Sequence, residues 1–137
     1  NFSLDNPYVL KIVERASELD VPVVFDSGKR LSPPVKIGML GELFPEAKII
    51  MAHMLGAKYL EVAEKNENVY LGTTGMFKIN KLSEALQRLG AEKLISGSDS
   101  PYNPQELEIK KVEAIPGITR EAKAKILGQN IMKILEL

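Results

Sequence analysis

The stretch KLISGSDSPY (Lys93–Tyr102) sets the pattern from which the rest of the chain is read. A short apolar run breaks abruptly into glycine, serine and aspartate, the signature of a buried strand that ends in a polar tip. The same transition occurs three times upstream. VPVVF (Val21–Phe25) runs into Asp26-Ser27-Gly28, AKIIMA (Ala47–Ala52) into His53, and NVYLG (Asn68–Gly72) into Thr73-Thr74-Gly75.

Helical periodicity fills the gaps between these runs. Tyr8, Ile12, Val13, Ala16 and Leu19 form a stripe behind an Asn6 cap, with Pro7 at the first helical position. Ser32-Pro33 opens a second helix, with Ile37, Leu40 and Phe44 on one face. Leu55, Tyr59, Val62 and Ala63 mark a short third. Phe77, Leu82, Ala85, Leu86 and Leu89 mark a fourth, closed by Gly90. This alternation predicts an α/β fold of about four parallel strands near residues 21–26, 47–53, 68–72 and 93–97, in sequential order. Right-handed crossovers then put every strand's C-terminal end on one edge. An open, doubly wound sheet and an arc of a barrel both satisfy the pattern.

Composition narrows the function classes. Of 137 residues, 45% are hydrophobic, enough for a real core, so disorder is excluded. Lys and Arg (18) balance Asp and Glu (18), which speaks against nucleic acid and acidic membranes as partners. There is no cysteine, so disulfides, zinc-finger ligation and thiol chemistry are out, and a reducing, cytoplasmic compartment is the default expectation. No apolar run approaches the roughly 18 residues of a membrane span. The chain begins at Asn1, inside what reads as a connecting segment, and a fragment or processed product is expected.

The strand tips carry the chemistry. In parallel α/β folds the reactive groups sit at the carboxyl ends of strands. Asp26, His53 (the one histidine) and Asp99 therefore converge with several hydroxyls on one edge. Carboxylate oxygen and imidazole nitrogen are ligands for zinc or manganese, and an imidazole can shuttle protons. Taken singly, each aspartate reads more simply as a cap and the histidine as a structural hydrogen-bonding residue. Agreement between three tips carries the functional reading.

The same segments resemble a known superfamily. GSDSPY (Gly97–Tyr102) looks like the last-strand motif of the amidohydrolase-like metal-dependent hydrolases, which are (β/α)8 barrels with a TatD-like branch. IIMAHMLG (Ile49–Gly56) is similar to their sixth strand, VPVVFDSG (Val21–Gly28) to their fifth, and KILGQNIMKIL (Lys125–Leu135) to their final helix. The resemblance implies a single domain over residues 1–137, the C-terminal half of a TIM barrel containing strands five to eight. It implies Asp99 as the aspartate that binds metal and activates water, and His53 as a metal ligand or proton-transfer group. Asp26 falls where the family carries a ligating histidine. The implied cofactor is a divalent metal, zinc or else manganese. The implied reaction is hydrolysis of a C–N, C–O, ester or lactone bond in a small molecule. The family's first-strand his-x-his pair has no counterpart here. A complete barrel takes about 250 residues, so this half leaves strand edges open, and self-association or a complementary half-barrel is expected. Alone, the chain is expected to be inactive.

Three rival readings remain. IPGITREAKAKIL (Ile115–Leu127) resembles a helix-hairpin-helix, but Thr119 replaces its second glycine and reads better as a helix cap with Glu121 just inside. A non-catalytic partner module with a decayed metal site would also place aspartate at position 26. A flavodoxin-like phosphate binder needs a glycine-rich loop after the first strand, which is absent. Within the superfamily, a TatD-type nuclease is the alternative to a small-molecule hydrolase.

Overall fold

The computed structural model describes residues 3–137. Strands β1 (Val23–Asp26), β2 (Ile49–Ala52), β3 (Val69–Gly72) and β4 (Leu94–Ile95) form one parallel sheet in the order β1-β2-β3-β4. Helix α1 (Pro7–Glu18) precedes the sheet, and α2 (Pro34–Leu43), α3 (Tyr59–Lys65) and α4 (Ile79–Leu89) form the crossovers. A 3₁₀ turn, Ala91–Lys93, enters β4. Beyond it come α5 (Gln105–Glu113), α6 (Arg120–Ala124), a π-helical stretch Lys125–Gln129 and α7 (Asn130–Ile134). The expected strands and their order are all present.

Local chemistry explains most boundaries. Asn6 accepts from Tyr8 N at 2.9 Å with Pro7 behind it, so α1 starts where expected. Helix α2 begins at Pro34 rather than Ser32, whose hydroxyl donates to the Asp26 carbonyl instead. Thr119 caps α6 by accepting from Ala122 N at 3.0 Å, the cap role expected of it. The α1 stripe needs correction. Val9, Val13 and Ala16 are its buried positions, whereas Tyr8 is 77%, Ile12 62% and Leu19 54% exposed.

The sheet separates two layers. Ile49, Met51, Val69, Leu71 and Leu94 face the helices and join Val13, Ile37, Leu40, Leu82, Ala85, Val112 and Ile126 in the main core. On the opposite face, Ile50 and Ile95 are covered by Ile134 of α7, with Tyr70 and Ile131 alongside. Lys48 fixes that arrangement by donating to the Ile134 carbonyl at 2.9 Å.

The two edges of the sheet differ. Ile95 O accepts from Thr73 N at 2.8 Å, so strand alternation turns the backbone groups of Leu94 and Ser96 toward the outer edge. There Ser96 N donates to Ile126 O at 2.9 Å, and Asn130 Nδ2 donates to Leu94 O at 2.7 Å. The i→i+5 winding of the π-helical stretch changes its carbonyl partners, and one of its carbonyls serves the strand. At the other edge Val23 N pairs inward with Lys48 O at 2.8 Å, so the backbone N–H and C=O of Val24 point outward, with no strand beside them among the described residues. Among the described residues, no helix is long and apolar enough to cross a membrane.

Candidate active site at the strand tips

Two tight loops hold the first two tips together. Ser27, fully buried, donates through Oγ to the Ala52 carbonyl and accepts from Leu55 N at 3.3 Å. Gly28 (φ +84°) and Gly56 (φ +90°) meet here. A Cβ on Gly28 would come within 2.5 Å of Leu55 Cβ, and one on Gly56 within 3.0 Å of Gly28 Cα. The missing side chains let two loops touch backbone to backbone.

Asp26, His53 and Asp99 all line one cleft of about 610 Å³, together with Val24, Lys29, Ala52, Leu55, Thr74 and Tyr102. His53 has φ +72° and Asp99 φ +57°, the left-handed region that costs an ordinary residue roughly 1 kcal/mol or more. Such conformations cluster where geometry serves chemistry.

His53 Nε2 stands 3.6 Å from Asp26 Oδ1, while Nδ1 is 3.2 Å from the Thr74 carbonyl. A carbonyl only accepts, so this contact is a hydrogen bond when the ring proton sits on Nδ1. On that tautomer Nε2 and Asp26 Oδ1 face each other as two electron-pair donors. Asp99 borders the same cleft but does not complete a set: among the described residues, no three His, Cys, Asp or Glu side chains are gathered to hold a metal ion. The donors fit a divalent metal in kind and fall short in number.

Sequence reading passed over several groups near the cleft. Tyr102 and Lys29 line it. Behind it, α5 buries Glu108 and Lys111 as an ion pair, at 1% and 5% exposure. Glu108 Oε1 accepts from Gly75 N at 3.2 Å, and Lys111 Nζ donates to Thr73 O at 2.5 Å. Burial pulls the Lys111 ammonium below its ordinary range, and Glu108 opposes that pull. Helix α5 was not anticipated. Glu108, Lys111, Val112 and Ile115 share one helical face, so a charged pair within an apolar stripe was the available signal.

The fold has clear relatives. An uncharacterised TIM-barrel protein from Bordetella bronchiseptica superposes with a TM-score of 0.83 at 19% identity, over 98% of this chain and 52% of that one. A 2,6-dihydroxybenzoate decarboxylase from Rhizobium gives 0.78 at 16% identity, over 98% and 57%. A dihydroxybenzoic acid decarboxylase from a Polaromonas species, with bound manganese and the inhibitor 2-nitroresorcinol, gives 0.75 at 19% identity, over 98% and 55%. The chain thus spans little more than half the length of these structures, and at such identities the likeness is one of fold. No curated protein matches the sequence significantly. Residues 2–137 match the amidohydrolase family (Amidohydro_2). With four sequential parallel βα units that superpose on about half of a TIM barrel, the chain belongs to the amidohydrolase family.

Proposed function

We propose that the chain supplies strands five to eight of a metal-dependent hydrolase, with Asp26, His53 and Asp99 as its share of the site. The observation that carries this reading is the convergence of those three residues, from three different strand tips, on one cleft. A divalent metal, manganese or zinc, would polarise a substrate carbonyl and lower the pKa of bound water toward about 7. Asp26 Oδ1 and His53 Nε2 are the protein donors that face each other. The remaining donors are assigned to the complementary half of the barrel. Thr74 holds the imidazole, and Asp99, which lines the same cleft, accepts and returns a proton. Val24, Leu55 and Tyr102 give the cleft apolar and aromatic walls for a small molecule.

Decarboxylation is the second reading, favoured by the decarboxylases among the structural relatives. Replacing CO₂ by hydrogen needs a proton donor where hydrolysis needs a base, and Asp99 is placed for either role. The test uses this chain assembled with strands one to four, supplied with manganese or zinc, against esters, lactones, amides and hydroxybenzoates. Product identity decides the reaction class. Asp99→Asn is expected to lose about a hundredfold or more in turnover. Near-normal turnover in that variant would reduce Asp99 to a structural cap and remove the centre of the proposal.

A further inference from the structure

We infer that the buried Glu108–Lys111 pair is a positioning device for His53, acting through the Thr73–Gly75 turn to hold the imidazole as its Nδ1–H tautomer with Nε2 free toward the cleft. The inference rests on the proposed function only in that the freed Nε2 is what the site would use.

Both charged groups grip the same short stretch of backbone. Glu108 takes the N–H of Gly75 and Lys111 takes the carbonyl of Thr73, so the two contacts bracket Thr74. Lys111 Nζ also sits 5.0 Å from the Phe77 ring centroid. The bracketed residue presents its carbonyl to His53 Nδ1 at 3.2 Å. The turn runs tightly over the ring. Gly75 has φ +67°, and a Cβ there would lie 3.5 Å from His53 Nδ1. Asp26 Oδ1 draws the proton toward Nε2, but its 3.6 Å separation is the longer contact. Thr74 therefore decides the tautomer for as long as its carbonyl stays aimed. If the pair served packing alone, two apolar side chains of similar size would do as well, because desolvating two charges offsets most of their attraction.

The test exploits the single histidine, whose two ring nitrogens are the only imidazole signals in the chain. ¹⁵N-labelled protein is observed without metal or substrate near pH 8.5, above the ordinary imidazole range of about 6.5. In the unaltered chain the Nδ1–H tautomer should dominate. In the apolar pair Glu108→Leu/Lys111→Leu, which leaves no lone buried charge, the Nδ1–H to Nε2–H ratio should fall about threefold or more, as loss of one net hydrogen bond gives. Lys111→Arg, which keeps the charge and a donor, should preserve the ratio. Circular dichroism establishes that each variant is folded. An Nε2–H majority in the unaltered chain overturns the inference on its own, and so does an unchanged ratio in the folded apolar variant. Because no activity is read, failure of the proposed reaction leaves these outcomes intact.

Discussion

Gly28 shows how much a single position sets in this molecule. Its φ of +84° is one that side chains rarely adopt, and any Cβ would enter the space of Leu55. Gly28→Ala therefore combines strain with overpacking and should cost on the order of 2 kcal/mol or more. Chemical denaturation checks this, with an alanine placed at half-buried Gly128 as the reference, where a Cβ meets nothing within 4 Å. Loss of less than a few tenths at Gly28 would mean that the two loops separate freely. The effect should also spread, because Leu55 lies on the cleft wall and shares Ser27 as a partner. At this scale the sequence was informative about residue type and silent about reach. Asp26, His53 and Asp99 could be named from their place after apolar runs. Nothing local encodes that Asp26 faces His53 while Asp99 stays apart, since that depends on how far each loop carries its residue beyond the strand.

Among the elements, strands were legible and the C-terminal helices much less so. Each strand is a compact apolar run that ends in a polar residue, and parallel burial on both faces demands that composition. Helix α5 reads QELEIKKVE, with two of its buried positions occupied by Glu108 and Lys111, and an apolar-periodicity search passes over it. The final helix was recognised, but its job was not. Its π-helical carbonyl at Ile126 and the Asn130 amide both serve the β4 edge. Asn130 Nδ2 holds the carbonyls of Ala91 and Leu94, each at 2.7 Å. Asn130→Ala leaves both without that donor and should destabilise by about 1–3 kcal/mol. Hydrogen exchange supplies the sharper readout. The Ser96 amide should lose protection before the β2 and β3 amides do, and equal loss across the sheet would show that Asn130 merely stabilises the whole.

For the molecule as a whole, part of the exposed apolar surface belongs to the first helix and the first strand. Tyr8 and Ile12 on α1 and Val24 on β1 are all exposed, and all belong to the end of the sheet that has no neighbour. We expect the isolated chain to self-associate there at micromolar concentrations, since an uncovered strand edge beside apolar side chains recruits a partner. Val24→Lys should leave it monomeric. Sedimentation velocity distinguishes the outcomes, and a chain that is already monomeric before substitution would refute the expectation.

The unequal edges carry a further consequence for assembly. Two half-barrels close into a ring only if each offers a free first strand and a free last strand to the other. Here the last strand's outward groups are already engaged by the chain's own tail, so the sheet has one adhesive end and one stop. Association between copies through β1 would then give a head-to-head pair rather than a ring or fibre. A complementary half would meet an open edge at β1 and, on the β4 side, an edge already held by the tail.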